Sequence, residues 1–248
     1  MKSFCRIVLL FLMVALVGCQ KAPRPGYTEL PNVVTKRKAL EKQILELQPE
    51  KERKAAAAEA LWLADTAFKA SAAIARYNAP RYVNWLNNRA VNSKDYTRHR
   101  GLCWHYQHDL YRELRRRPLK YYKLGCCVRD KGRGAEHHVV YIMAAKGKWP
   151  SIIMLDAWWS AGRLRIEDES DAWDWTDDPA TTAKLNKVYP AGHKLPMEHW
   201  YMIRQSDTDF NAYIESNLPA ARKTYQWKYM QSQMKQGLRK RKGKAFAY

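Results

Sequence analysis

The 248 residues lack most motifs that would name a chemistry outright. No Gly-x-Gly-x-x-Gly and no phosphate loop occurs, so no nucleotide cofactor is expected. No Gly-x-Ser-x-Gly offers a serine nucleophile. Cys-x-x-Cys and His-Glu-x-x-His are both missing. His105 and His108, three apart and near Cys103, are a poor substitute for a zinc set, and no metal is expected. Glycine is absent from Lys36 to Asn78, where Pro49 is the only proline. Glu50 to Tyr77 is rich in Ala, Glu, Lys and Leu, so this region reads as one long helix with a break near Pro49. The alanine run within it needs no explanation beyond helix propensity. Acidic residues are scarce: 24 Asp and Glu stand against 44 Lys and Arg, a formal charge of +20. Such a field attracts anionic surfaces such as lipid headgroups and acidic cell-wall polymers. Hydrophobic residues make up 46%, with 10 Trp and 15 Tyr, which excludes a disordered chain and provides for a core.

The N-terminus carries an address. Lys2 and Arg6 precede an apolar run, Ile7 to Val17, too short to cross a bilayer. It ends in Leu16-Val17-Gly18-Cys19, which resembles the bacterial lipobox. The resemblance implies cleavage before Cys19, lipidation of Cys19, and attachment of the mature protein to a membrane. Gln20 follows the cysteine, which by the same resemblance points to the outer membrane facing the periplasm. With that address, nucleic acid is not an expected partner. Residues 1–18 are then a signal peptide and 19–35 a tether. Pro23, Pro25 and Gly26 give the tether its flexible composition.

The centre of the chain is Arg100-Gly101-Leu102-Cys103-Trp104-His105-Tyr106. Neither Gly nor Pro occurs from Leu102 to Arg117, and Leu102, Tyr106, Leu110 and Leu114 recur every four positions. That spacing predicts a helix with one buried stripe. Cys103 then sits where orphan backbone N–H groups and the positive end of the helix dipole converge, a setting that favours a thiolate nucleophile. The plainer alternative is a small buried hydrophobe.

Two later segments bear on that choice. Glu136-His137-His138-Val139-Val140-Tyr141-Ile142-Met143 reads as a strand that begins with histidines. Ser151-Ile152-Ile153-Met154-Leu155-Asp156-Ala157-Trp158 reads as a strand carrying an aspartate near its end. The turn chemistry of Lys146-Gly147-Lys148-Trp149-Pro150 lies between them. An antiparallel hairpin centred near Lys146-Gly147 puts His137 or His138 beside Asp156 at its open end. A nucleophile, a base and a group that orients the base would then meet.

Gly101-Leu102-Cys103-Trp104, Glu136-His137 and Leu155-Asp156-Ala157-Trp158 together resemble the core of the transglutaminase-like cysteine proteins, within the wider papain-like group. The resemblance spans Tyr82 to Trp175. It implies an α+β fold, with a cysteine helix packed on an antiparallel sheet and flanked by N- and C-terminal helices. It also implies a Cys103-His137-Asp156 triad acting on amide bonds of a peptide or protein, with peptidoglycan peptides a candidate by location. His137 is preferred because Glu136-His137 matches the family's Glu-His; His138 is the alternate. The chain departs from the papain pattern in having no glutamine between Lys51 and Leu102. The rival reading is a catalytically silent binding or scaffold lipoprotein that uses the same fold and a basic tail.

The remaining expectations follow from composition. Residues 36–80 form the N-terminal helical segment, 81–205 the core, and 206–248 a C-terminal helix and basic tail. Leu119 to Val128 alternates as a strand. Its Cys126 and Cys127 are either a strained vicinal disulfide or two buried thiols. Glu167 to Asp178 is acidic around Trp173-Asp174-Trp175, and forms either a groove or a solvated rim.

Overall fold

The computed structural model describes residues 22–78, 101–131, 136–167 and 175–194. Residues 1–18, read as a signal peptide, Cys19, the segment 79–100 and residues 206–248, read as a C-terminal helix and basic tail, lie outside the described residues.

The described chain is α+β. Four helices accompany a five-stranded antiparallel sheet: α1 (Pro31–Glu46), α2 (Glu50–Asn78), α3 (Cys103–Leu114), β1 (Tyr122–Arg129), β2 (His137–Ala144), β3 (Ile153–Asp156), β4 (Arg165–Glu167), β5 (Thr176–Asp177) and α4 (Pro179–Val188). The strand order is β4-β3-β2-β1-β5, so the hairpin strands are central and paired on both sides.

The glycine-free stretch is two helices. Pro49 disfavours helical geometry at the residue before it and begins a new turn through the Glu52 N–H, which donates to its carbonyl at 2.8 Å. The first helix starts at Pro31, five residues before the expected Lys36, because a proline at the first helical position loses no intrahelical bond. The expected tether is also shorter than read. Pro23 is buried, Ala22 and Tyr27 pack on the core, and Tyr27–Glu29 is a 3-10 turn. In α2, Ala56, Ala60, Ala64 and Ala67 are completely buried on one face. Their small side chains let neighbouring elements approach closely, so the alanines serve packing as well as propensity.

Strand alternation distributes the sheet residues between two clusters. Cys126, Val140, Ile142, Ile153 and Leu155 join the helices in the main core. Cys127, Val139, Tyr141, Met143 and Met154 lie in a second cluster with Ile152 and Trp175. Cys126 and Cys127 are therefore sequential residues on opposite faces, and both are free buried thiols, not a vicinal disulfide. Each fully buried aliphatic side chain contributes roughly 1.5–3 kcal/mol relative to exposure.

The expected single stripe on α3 is buried as read, at Leu102, Tyr106, Leu110 and Leu114. All of α3 except the half-buried Trp104 is buried as well, Gln107, Asp109, Arg112 and Glu113 included. Polar contacts compensate. Arg112 Nε donates to Glu113 at 2.9 Å, and Gln107 Nε2 donates to the carbonyls of Val139 (2.7 Å) and Cys127 (3.3 Å). Gln107 thereby ties the cysteine helix to β1 and β2.

Candidate active site

Three side chains far apart in the sequence are brought together, each by a different element. Cys103 is the first residue of α3. Leu102 occupies the cap position without an acceptor, so the helix start is held in another way. The Nδ1 of His105, in the first turn, accepts the backbone N–H groups of both Gly101 and Leu102 at 3.2 Å. This is the reciprocal half of a capping box, made by an imidazole instead of a carboxylate. Gly101 carries φ 127°, a conformation open to glycine, and its carbonyl accepts the Trp158 indole N–H at 2.9 Å. The turn into the cysteine is thus fastened from both sides.

His137 is the first residue of β2, and Asp156 the last of β3. The register pairs Ile142 with Ile153, Tyr141 with Met154 and Val140 with Leu155. Continuing it sets Asp156 opposite Val139, diagonal to His137 and within reach of its ring. His137 Nε2 lies 2.8 Å from Asp156 Oδ2. The other carboxylate oxygen accepts the backbone N–H groups of Trp158 (2.8 Å) and Trp159 (3.0 Å). Both oxygens are engaged, and the carboxylate cannot swing away from the ring.

The Asp156 turn is in turn fixed by α2. Gly162, at φ 88°, lies so close to Ser71 and Ala75 that a Cβ there would overlap the Ala75 methyl. Ser71 Oγ donates to the Gly162 carbonyl at 3.0 Å.

All three groups are buried: Cys103 is 4% exposed, and His137 and Asp156 are each 2% exposed. Burial alone would discharge the pair, yet both partners shift the other way. Burial raises the Asp156 carboxyl, but the His137 charge and hydrogen bond, with the two backbone N–H groups, outweigh it and hold it below its usual value. Burial lowers His137, but Asp156 and the neighbouring Cys103 sulfur outweigh that and push the imidazole up to about 9. Both shifts favour the charged pair, an imidazolium beside a carboxylate.

Cys103 Sγ lies 3.8 Å from the Glu136 carbonyl oxygen, at the entrance to β2. It is close enough to His137 to act on the ring's charge, although His137 Nδ1 makes no conventional hydrogen bond among the described residues. Asp156 holds Nε2, so Nδ1 is the ring nitrogen left for chemistry.

The doubled histidine divides cleanly. His138 Nε2 pairs with Glu136 Oε1 at 2.6 Å and is separate from Asp156. Its pKa falls through burial, against the pull of Glu136. Burial raises both Cys126 and Cys127 far above an ordinary thiol, so both remain protonated.

An aromatic wall surrounds His137. The rings of Trp158, Trp175 and Trp159 lie at 5.0, 5.5 and 5.9 Å from its centroid. Of the acidic run 167–178, residues 168–174 lie outside the described residues, and the described acids each hold a partner. Glu167 pairs with Arg165 at 2.9 Å, Asp177 accepts the Tyr141 hydroxyl at 3.0 Å, and Asp178 caps α4 through Thr181. His105 and His108 do not assemble with Cys103 as metal ligands. Among the described residues no group of three His, Cys, Asp or Glu is arranged for a metal ion.

Sequence reading missed several residues that shape this site. His105 was weighed only as a ligand, although its position in the first turn is a capping position. Arg129 comes to His137 through strand register, which no local motif signals, and the same register brings there Trp175, which the sequence places only in a groove or a rim. Compared with family models, curated proteins and solved structures, the chain matches none of them.

Proposed function

We propose that the protein is a thiol enzyme of amide chemistry, built on a transglutaminase-like or papain-like core. Cys103 is the nucleophile, His137 the acid and base, and Asp156 the group that orients and charges the imidazole. One observation carries the reading: a buried His137 fixed by Asp156 through Nε2, with the Cys103 sulfur beside the same ring. Buried ion pairs are costly to maintain, and this one stands next to a sulfur at a helix start.

An imidazolium stabilises a thiolate beside it. The thiolate attacks the amide carbonyl, and the electron pair moves to oxygen. The Cys103 N–H, at the first position of α3 and without an intrahelical acceptor, faces the developing oxyanion. Collapse breaks the C–N bond, and His137 Nδ1 gives its proton to the leaving amine. The thioester is resolved by water, which yields a peptidase or amidase, or by an amine, which yields a transamidase. In either case the imidazole takes the incoming proton and the thiolate returns.

The address supports a peptide substrate of the cell envelope, with stem peptides of peptidoglycan the first to try. Cys19 anchors the protein by lipid, at the outer membrane facing the periplasm. The second reading, a silent scaffold that uses its basic tail, is favoured by one fact: the triad is covered.

Trapping separates the two. The full chain is incubated with a panel of peptide amides and muropeptides, quenched in acid, and weighed intact. The enzyme reading predicts a hydroxylamine-labile acyl adduct on Cys103. No adduct with any substrate, together with Cys103 alkylation as slow as that of Cys126, would leave the scaffold.

A further inference from the structure

Arg129 closes β1 and is the direct cross-strand partner of His137. Directly opposed residues project from the same side of the sheet with Cβ atoms about 5 Å apart. The Arg129 guanidinium lies over the Trp175 indole, 4.9 Å from the ring centroid, and the same indole meets the His137 ring at 5.5 Å. A cation is therefore held, half-buried, one aromatic ring away from the catalytic base.

Its charge is unmatched. Neighbouring cations have carboxylates: Arg165 has Glu167 at 2.9 Å and Lys131 has Asp178 at 3.9 Å. Arg129 has no ion pair among the described residues. The nearby acids are committed elsewhere, Asp177 to the Tyr141 hydroxyl and Asp178 to the start of α4. A second donor is also idle. Trp175 Nε1 is buried with no acceptor among the described residues, and Trp175 is 4% exposed. A buried donor without an acceptor is costly, and a stacked guanidinium presents a planar fork matched to a carboxylate.

We propose that Arg129, stacked on Trp175 opposite His137, binds a carboxylate on the substrate next to the reacting amide, so that the site selects acidic peptides. This rests on the thiol-enzyme reading and names its substrate class. The overall positive charge would raise the local concentration of such substrates.

Two alkylating reagents of nearly equal size test it, one anionic and one neutral. Rates of Cys103 alkylation by iodoacetate and by iodoacetamide are measured on the full chain, and their ratio is compared with that of a small free thiol. The His137 cation also favours iodoacetate, so the decisive variant is Arg129→Met, which keeps an apolar stem on Trp175 and removes the charge. The ratio should fall roughly tenfold in that variant, the size of one charge-assisted hydrogen bond, and should be partly retained in Arg129→Lys. In the unaltered protein, acetate should protect Cys103 from iodoacetamide, and acetamide should not. A ratio indifferent to Arg129→Met, or no protection by acetate while Cys103 still reacts fast, overturns this inference and spares the enzyme reading. Slow reaction of Cys103 with both reagents overturns both.

Discussion

Asp156 spends its two oxygens on different tasks: one on the ring of His137, the other on the turn that holds the carboxylate still. Replacing it with Asn keeps the shape and removes the charge. With that charge gone, burial dominates at His137 and the imidazolium is lost. Asp156→Asn should lower amide turnover roughly 10³-fold or more, read as kcat/KM, with little loss of helix signal. The pair also leaves a mark on stability. His137 is raised from 6.5 to about 9, so its contribution is complete below about pH 6.5 and is lost as pH rises through about 9. Asp156 is lowered from 3.8, so its contribution is present above that value and is lost as pH falls through its folded value. Thermal melts of the unaltered protein should decline between about pH 6.5 and about 9 and level off above, and that step should be missing in Asp156→Asn. His105 offers a different test, because it positions the nucleophile without touching it. His105→Leu should slow Cys103 alkylation, whereas His105→Gln, which restores an acceptor in the first turn, should recover most of the rate. Equal effects of the two would mean that packing alone is at stake.

The cysteine helix and the hairpin that faces it were legible in the sequence for a physical reason: their signals are local. An unbroken four-residue repeat after Gly101 gave α3, and turn residues between two β-branched runs gave the β2–β3 register. The hairpin register alone brings His137 near Asp156. The elements that were not read are short, and depend on partners. β4 and β5 have three and two residues and exist only by pairing with β3 and β1. The helix at Pro179–Val188 did carry a signal, Asp178 followed by proline, which is an N-cap and first-position pair. The acidic composition around it drew attention to charge instead. Arg129 reached the site through its pairing with His137, which no run of neighbours announces. One element contact should be testable without any substrate. The turn after Asp156 rests on α2 through Gly162, where a methyl has no room and φ is 88°. Gly162→Ala should destabilise the fold by roughly 1–3 kcal/mol in urea melts. It should also reduce activity by more than Ala75→Val does at matched stability, because only the former shifts the carboxylate's own turn.

Among the described residues, α1 and α2 form a platform, α3 carries the Cys103 sulfur, and the small sheet carries the His137–Asp156 pair. Glu59 in α2 accepts the N–H groups of Lys120 and Tyr121 at 2.8 and 2.9 Å, which fastens the approach to β1 onto the helical layer. Residues from both layers therefore fix the relation of sulfur to ring, and the formal charge of +20 sets the field in which an acidic substrate would approach. In the proposed mechanism sulfur, imidazole and carboxylate act as a unit. The most direct measurement is the alkylation rate of each cysteine at pH 7, read by peptide mass, in the unaltered protein and in His137→Ala. Cys103 should react at least tenfold faster than Cys126 and Cys127, whose thiols stay protonated, and His137→Ala should remove most of that advantage. Equal rates at all three cysteines, or a Cys103 rate unchanged without His137, would contradict the proposed mechanism.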